Sequence, residues 1–361
     1  MSEALERWVD AAVGETREAL VQNGRVMALR VVRQSDEGRR ARWGELYVAR
    51  VREIDRRRRG VFLDLGLKDQ AGFLPLDQNG RVRRAGKEHV ALREGEGVVV
   101  GVTREAARAK SPVLDLQEIG HDGEAPHRIA RHECDDDIAA AKPADAQTRA
   151  NLDAAIEDAL ARTVPVPGGG ALAIEPTSAL VAIDVDAGGR AGTGDPERFA
   201  LELNIAAAKE AARQIRLRSL GGVIAIDFVS MRSKKHRAQL ENAVREAFAG
   251  DPWSVNLGGL SRFGVFELAR AQLRTPLHEQ MRETDGRLSV ETVALMALRS
   301  IEREARAVTG RQIACTVAPD VKAWLDGAEF DWRAALSNRI GMRWTLDAAP
   351  SAREKIDARA L

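Results

Sequence analysis

The chain has little cysteine, few aromatic side chains and no long apolar run, and each scarcity excludes a class of protein. Its two cysteines, Cys134 and Cys315, lie far apart in the 361-residue sequence, which excludes a disulfide framework and a zinc site built from paired Cys-x-x-Cys motifs. Aromatic residues make up 4% of the chain, so the core must consist mainly of Val, Ile, Leu and Ala. The sequence lacks a stretch of about 18 apolar residues, which argues against a membrane-spanning helix. The N-terminus does not resemble a secretory signal, and we expect a cytoplasmic protein with reduced thiols.

The near-neutral total charge hides an uneven distribution. The 55 Lys and Arg residues almost balance the 54 Asp and Glu residues, which leaves a net charge of +1. Residues 45–117, however, contain 15 basic and 11 acidic residues, whereas residues 118–160 contain 4 and 11. A basic region is therefore followed by an acidic one, and the basic region is a candidate for binding a polyanion.

The first half of the chain predicts a small β domain between two connecting segments. Residues 1–44 predict a leading helix followed by a hairpin at Asn23-Gly24, packing on the α/β region further along. Residues 45–117 contain five short β-rich segments, which are typical of a closed barrel such as an OB-fold. A part of a larger sandwich is the alternative. Residues 118–150 contain few apolar residues and predict an acidic linker or a partly ordered strap.

The second half predicts a mixed α/β structure. Residues 151–280 alternate strands and helices, and a long helix with Asp195 as its N-cap and Pro196 at its first position separates two strands. This spacing predicts a parallel βαβ unit. The second of these strands, in GVIAIDFVSM, is nearly continuously apolar and is predicted to be fully buried. Residues 281–361 predict a small C-terminal α/β domain.

Two carboxylates follow apolar strands in the α/β region. Asp184 ends ALVAID and Asp227 ends VIAID, so in a parallel unit both reach the same edge of the sheet. Mg²⁺ binds one or two carboxylates and fills its shell with water and phosphate oxygens. Asp186 points to the same side as Asp184 and is a candidate third ligand. The alternative is that these residues cap turns or pair with arginines.

The basic region also carries two aromatic residues on successive predicted strands. Phe62 and Phe73 lie among cationic side chains, and aromatic faces surrounded by cations suit single-stranded RNA, whose bases stack while its phosphates are neutralised. The cations are the run Arg56–Arg59, the cluster Arg81, Arg83 and Arg84, and Arg104 and Lys110. The alternative is that both rings lie in the core and the arginines form a solvated face.

These segments resemble the ribonuclease E/G family. GELYVARVREIDRRRRGVFLDLGLKDQAGFLPL is similar to its S1 RNA-binding domain, and ALVAIDVDAG, ELNIAAAKEAARQIRLRSLGGVIAIDFVSM and LSRFGVFELARAQL follow its catalytic domain in order. The resemblance implies a DNase I-like catalytic domain, with an RNase H-like part that includes the N-terminal segment. It implies that Asp184 and Asp227 are catalytic and hold Mg²⁺, and that Asp186 stands where the family has an asparagine. It also places Phe62, Phe73, Arg104 and Lys110 on RNA-contacting positions of the S1 domain.

The chain departs from the family at two places. Residues 118–160 leave little room for the family's pocket for a 5′-monophosphate, and Ser254 stands where the resemblance would place a sensor arginine. The family's CPxC motif, which shares a zinc ion between subunits, is replaced by LRTPLHEQMRETDGRLS. We therefore expect no zinc, a monomer or weak dimer, and cleavage that does not require a 5′-monophosphate.

These observations predict a Mg²⁺-dependent endoribonuclease that cuts single-stranded RNA and leaves 5′-phosphate and 3′-hydroxyl ends, with Mn²⁺ as a possible substitute. Arg262, and the helix end with Arg213, Arg216 and Arg218, are candidates for positioning the RNA backbone. The alternative is an RNA-binding protein of the same family without catalysis, acting as a chaperone or regulator. A nucleotide-dependent enzyme ranks last, because no phosphate-binding loop is present.

Overall fold

In the computed structural model, the described residues are 5–84, 88–107, 110–131, 141–188 and 195–361. The chain divides by its internal contacts into two compact units. The first unit comprises residues 1–6, 19–29 and 145–277, and the second comprises residues 7–18, 30–144 and 278–361.

The N-terminal segment is a sheet. Its elements are β1 (Glu6–Ala12), β2 (Glu15–Gln22), β3 (Arg25–Arg33) and a 3₁₀ turn (Gln34–Asp36). The sheet order is β12-β1-β2-β3, where β12 is Lys142–Pro143. Boundaries between the two units fall within β1, β2 and β3.

The predicted leading helix in residues 1–44 is wrong, because residues 6–12 form β1. Glu, Arg and Ala favour a helix in isolation, but strand pairing and a buried ion pair between Arg17 Nε and Asp10 Oδ2 at 3.0 Å override that preference. The predicted hairpin is confirmed. Asn23 and Gly24 connect β2 to β3 with φ angles of 51° and 72°, the left-handed conformation that a tight hairpin turn requires.

Residues 45–119 of the second unit form a closed barrel of five strands. The strands are β4 (Leu46–Asp55), β5 (Gly60–Asp64), β6 (Ala71–Pro75), β9 (Gly97–Arg104) and β10 (Val113–Ile119). The order is β4-β5-β6-β10-β9, and pairing of β4 with β9 closes the barrel. Apolar side chains such as Tyr47, Leu63 and Leu116 fill its interior. The predicted barrel is confirmed, and it is consistent with an OB-fold. A two-stranded ribbon lies between β6 and β9, formed by β7 (Val82–Arg83) and β8 (His89–Val90).

Residues 118–150, predicted as an acidic linker or a partly ordered strap, contain an ordered strand. Residues 127–130 form β11 (His127–Ala130), which pairs antiparallel with β4. Arg128 Nη1 donates to Oε1 of the buried Glu45 at 3.0 Å, so a charge pair adds to the main-chain pairing. Strand pairing uses backbone groups, which explains why a segment with few apolar residues is ordered here.

The C-terminal part of the second unit, where the sequence predicts a small α/β domain, is built from helices and strands. Its helices and strands are α4 (Leu277–Met281, whose first residue belongs to the first unit), α5 (Val290–Ala307), β19 (Ile313–Val317), α6 (Pro319–Asp326), α7 (Trp332–Ile340), β20 (Trp344–Ala348) and β21 (Asp357–Ala360). The central strand β19 pairs parallel with β20 and antiparallel with β21. Val293, Leu298 and Trp332 are among the residues of its core.

The first unit is built on a six-stranded sheet of order β13-β14-β15-β16-β18-β17. Its strands are β13 (Thr163–Pro165), β14 (Ala171–Pro176), β15 (Val181–Asp186), β16 (Gly222–Asp227), β17 (Val255–Leu260) and β18 (Val265–Arg270). Its helices are α1 (Ala146–Leu160), α2 (Pro196–Leu217) and α3 (Lys234–Phe248). β15 and β16 are parallel neighbours connected through α2, as the sequence predicted. The other neighbouring pairs in this sheet are antiparallel.

The prediction that β16 is buried on both faces is wrong. Ile224 and Ile226 are fully buried with side chains of α2 and α3, whereas Val223 is 51% exposed and Asp227 is exposed. The helices cover one face of this sheet, and Ala or Val at the open positions makes the strand look continuously apolar. The mixed α/β class is confirmed. Among the described residues, we find no helix that is both long and apolar enough to cross a membrane.

Candidate active site

Asp184 and Asp227 lie side by side on the open face of the sheet. They are register partners in the parallel β15–β16 pair, so their Cα atoms lie about 4.8 Å apart, the usual spacing between strands. Asp227 is the last residue of β16, and Asp184 lies two residues before the end of β15. Both side chains are exposed. The structure therefore brings together the two carboxylates that the sequence singled out.

Among the residues whose structure is described, none neutralises either carboxylate. Within the described part of the chain, Asp184 and Asp227 make no side-chain hydrogen bond and no ion pair. The alternative interpretation, in which these residues cap turns or pair with arginines, is therefore not observed for Asp184 and Asp227 among the described residues. Two carboxylates on neighbouring strands repel each other, and a shared cation removes that repulsion.

The surroundings of the pair suit a hydrated ion. Ala173 is the register partner of Asp184 on β14, and Ala182 and Ala225 occupy the next positions on the same face. These small side chains leave the space beside the carboxylates open to solvent. Mg²⁺ keeps several waters and needs one or two carboxylates, so this donor set fits it.

Asp186 lies two residues beyond Asp184 on the same exposed face of β15. It ends β15 opposite Ala171, and its Oδ1 accepts a hydrogen bond from the N–H of Gly188 at 2.9 Å, which stabilises the turn after the strand. Across the described residues, we find no group of three or more His, Cys, Asp or Glu side chains that could hold a metal. The role of Asp186 as a third ligand stays a prediction.

A buried asparagine fixes the segment that follows Asp227. Asn204, on α2, is fully buried; its Oδ1 accepts from Val229 N at 3.0 Å and its Nδ2 donates to Val229 O at 2.7 Å. The backbone two residues after Asp227 is thus held from both sides. Sequence reasoning missed Asn204, although a polar residue four positions after Ala200 on an otherwise apolar helix face is a readable signal.

Glu197, in the first turn of α2, holds the next part of the same segment. Its carboxylate accepts from Ser233 N at 2.7 Å and Arg232 N at 3.1 Å, just before α3 begins. These two main-chain N–H groups hold the pKa of Glu197 below its usual value. Sequence reasoning missed this residue too, because Glu in a first helical turn is common.

Phe62 and Phe73 lie on the outer surface of the barrel. They are register partners on β5 and β6, with ring centroids 5.5 Å apart in an edge-to-face arrangement. Both are half-buried, while their strand neighbours Val61 and Leu74 fill the interior. The alternative that these rings belong to the core is therefore wrong. Arg58 lies over the ring of Phe62, 5.8 Å from its centroid.

The predicted RNA-contacting cations lie in different places. Arg104 ends β9 and is half-buried, and Lys110 is exposed shortly before β10. Arg262 is exposed in the hairpin between β17 and β18 of the first unit. The run Arg56–Arg59 forms the exposed turn between β4 and β5, so the barrel presents a cationic edge near Phe62.

The proposed role of Arg213, Arg216 and Arg218 in binding RNA is contradicted by their contacts. Arg213 is buried against Glu210, at 2.7 Å, and donates to Val26 O. Arg218 is buried and donates to Gln214 Oε1 and Asp158 O, and Arg216 donates to Ala247 O. Burial of a guanidinium group without such partners would be costly. The hydrogen bonds of these three arginines therefore satisfy their charges inside the protein and hold the helix end in place.

Comparison with known proteins assigns the chain to a family. The profile of the Ribonuclease E/G family matches residues 82–273, more than half of the chain. Ribonuclease E of Escherichia coli (strain K12) is 36% identical over 181 residues, 48% of this chain and 17% of that protein. Ribonuclease E of Haemophilus influenzae is 33% identical over 213 residues, 57% of this chain and 22% of that protein. Ribonuclease G of the same organism is 31% identical over 182 residues, 48% of this chain and 37% of that protein.

The fold and the paired carboxylates thus occur in a chain that belongs to the ribonuclease E/G family, as the sequence motifs predicted. The matched segments cover between 17% and 37% of these three relatives, so the chain corresponds to a limited part of their length.

Proposed function

We propose that this chain is an endoribonuclease that cuts single-stranded RNA with Mg²⁺ held by Asp184 and Asp227. The observation that carries the proposal is the in-register pair of exposed carboxylates without a counter-cation among the described residues. Membership of a family whose relatives are named ribonucleases supports the choice of RNA as substrate. We place this activity in RNA processing or decay in the cytoplasm, with the chain acting as a monomer or weak dimer.

The chemistry supplied by bound Mg²⁺, or by Mn²⁺ in its place, is polarisation of the phosphodiester and orientation of the attacking water. Water attack with departure of the 3′ oxygen gives a 5′-phosphate and a 3′-hydroxyl. Asp184 and Asp227 provide the negative charge that holds the ion. Asn204 and Glu197 act indirectly, because they fix the backbone that follows Asp227.

The barrel of the second unit is the proposed holder of the RNA strand. Phe62 and Phe73 offer half-exposed rings on its outer surface, and bases of any identity stack on such rings. Arg104 and Lys110 are the proposed phosphate contacts. This arrangement favours single strands, because the bases of a duplex are not available for stacking.

The test is cleavage of a fluorescent unstructured RNA by wild type, Asp184→Asn and Asp227→Asn in Mg²⁺, Mn²⁺ and EDTA. We expect each variant to lose about a hundredfold or more in rate, since an amide holds the ion poorly, and EDTA to abolish cleavage. Asp347→Asn is the matched control, because Asp347 is also an exposed strand aspartate, on β20. Equal cutting by Asp227→Asn and wild type would reject the assignment. Tight RNA binding without cleavage in any divalent ion would favour the non-catalytic RNA-binding alternative.

A further inference from the structure

The hairpin between β17 and β18 ends in an exposed aromatic residue. Phe263 is 76% exposed, one of the two most exposed large apolar side chains among the described residues. The guanidinium carbon of its neighbour Arg262 lies over the ring, 4.5 Å from the centroid. One face of the ring is therefore covered by a cation, and the ring remains largely open to solvent.

The tip that carries this ring is braced by hydrogen bonds. Ser261 N donates to Val265 O at 2.8 Å and Gly264 N donates to Ser261 O at 3.1 Å, which closes the turn. Arg237, in the first turn of α3, donates to Ser261 O at 2.8 Å and ties the tip to that helix. A ring on such a turn has a defined position, which lowers the entropic cost of binding a ligand against it.

The tip lies at the same edge of the sheet as the carboxylate pair. Val265 is the register partner of Asp227 and comes two residues after Phe263. Because consecutive Cα atoms are 3.8 Å apart, the Cα atoms of Phe263 and Asp227 are at most about 13 Å apart. This is close enough for Phe263 to meet a base of the nucleotides next to a phosphate held at the pair.

Cations line the same edge. Lys234 and Lys235 are exposed in the first turn of α3, the turn that Arg237 ties to the hairpin. Within the described chain, neither lysine has an ion-pair partner. An exposed ring beside free cations is the combination that holds single-stranded nucleic acid, with the base on the ring and the phosphates on the cations.

We infer that Phe263 is a positioning residue that stacks on a base adjacent to the scissile phosphate, with Arg262 backing the other face of the ring. This inference rests on the proposed function and deepens it, because it assigns a second stacking site besides Phe62 and Phe73. The barrel holds the strand, whereas Phe263 sets which phosphate lies at Asp184 and Asp227.

The test combines Phe263→Ala, Phe263→Leu and Phe263→Trp with an RNA of mapped cleavage site that carries an abasic nucleotide at successive positions. We expect one abasic position near the cut to raise the KM of the wild type about tenfold. Phe263→Ala should raise the KM for intact RNA by the same factor, and the abasic nucleotide at that position should not raise it further. Phe263→Trp should restore the wild-type KM and Phe263→Leu should not. Met342→Ala is the control, because Met342 is 83% exposed in the second unit.

A binding readout separates this inference from the proposed function. The binding protein is the non-cleaving Asp184→Asn/Asp227→Asn variant, and the RNA carries 2-aminopurine at the position that the abasic series identifies. The fluorescence of 2-aminopurine should be quenched when Phe263 is present and should not be quenched when Phe263→Ala is added to the variant. Quenching without any cleavage by wild type would reject the nuclease and keep the stacking site. Cleavage with KM and quenching unaffected by Phe263→Ala would reject the stacking site and keep the nuclease. A change in sedimentation of Phe263→Ala with RNA binding unaffected would make the ring a contact between copies and overturn the inference.

Discussion

The ring of Phe73 lies directly over the backbone of Gly60. A Cβ atom added to Gly60 would come within 2.0 Å of the Phe73 ring, which is far inside van der Waals contact. The glycine therefore makes room for the ring that forms the edge-to-face pair with Phe62. A backbone position on β5 thus determines the shape of the proposed RNA-stacking surface.

Gly60→Ala is expected to expel the Phe73 ring while the barrel stays folded, since the ring is half-buried and can rotate outward. Loss of one stacking surface should weaken binding of single-stranded RNA about tenfold, and Phe73→Ala should weaken it equally. Fluorescence anisotropy measures the affinity and thermal unfolding checks the fold. Gly123→Ala is the matched control, because nothing lies within 4 Å of a Cβ there. Unchanged affinity of Gly60→Ala would show that the ring pair does not bind RNA.

Asn204→Ala is expected to lower the rate of cleavage with little change in KM. Its two hydrogen bonds hold Val229, and their loss leaves buried main-chain groups unsatisfied, which costs about 1–3 kcal/mol in the free energy of unfolding. Substitutions that loosen a metal ligand's support typically cost ten- to a hundredfold in activity. Urea unfolding measures the loss of stability. The loss of cleavage rate is measured as kcat, well below the melting temperature. The control is Asn242→Ala, at an exposed asparagine on α3, which should change neither the stability nor kcat. A rise in KM at constant kcat for Asn204→Ala would contradict the positioning role.

The second unit is expected to lose stability in acid through Glu15. Burial alone would raise the pKa of this carboxyl, but the guanidinium groups of Arg299, Arg33 and Arg17 outweigh burial and hold the pKa below its usual value. A pKa lowered in the folded state stabilises the fold above the unfolded-state pKa, and this stabilisation is lost as pH falls through the folded-state pKa. The wild-type free energy of unfolding should therefore decline from about pH 5 downward.

Glu15→Gln tests this account. At pH 7 the variant should lose about 3–5 kcal/mol, because the buried Arg33 and the half-buried Arg299 lose the carboxylate that they share. The difference from wild type should shrink as the pH is lowered. Glu329→Gln, which breaks exposed pairs with Arg39 and Lys68, should have a much smaller effect. Chemical denaturation at several pH values gives the comparison, and a pH-independent difference would refute the role of the Glu15 charge.

Cleavage is expected to be indifferent to the 5′ end of the RNA. Ser254 is exposed, and its short uncharged side chain cannot neutralise a phosphate as the sensor arginine implied by the resemblance would. RNAs that are identical except for a 5′-monophosphate or a 5′-hydroxyl should be cut with equal kcat/KM. A strong preference for the monophosphate would mean that other residues bind it.

The sequence predicted the parts of the fold that depend on local pattern. Apolar strands on either side of a long capped helix were enough to predict that β15 and β16 are parallel neighbours, and therefore that Asp184 and Asp227 share an edge. The Asn-Gly pair predicted the hairpin, because few other residues readily adopt the left-handed backbone conformation that a tight turn requires. The resemblance of the quoted segments predicted membership of the ribonuclease E/G family.

The errors arose where non-local contacts decide. The composition of β1 favours a helix, but its place in the sheet between β2 and the distant β12 makes it extended. Apolar Val223 and Ala225 suggested a buried β16, because the sequence does not show how many faces of a sheet are covered. Arg213 and Arg218 suggested a binding surface, because charge alone does not distinguish a buried structural guanidinium from a free one.

Strand β11 has a practical consequence for dissecting the molecule. A fragment cut at residue 117 would keep four barrel strands and most of β10, but would expose the main chain of residues 46–48 that His127–Ala130 covers. Bare strand edges invite pairing with other chains. Such a fragment should self-associate, and an isolated barrel for nucleic-acid titrations is better ended after Arg131, with Glu45 still paired to Arg128.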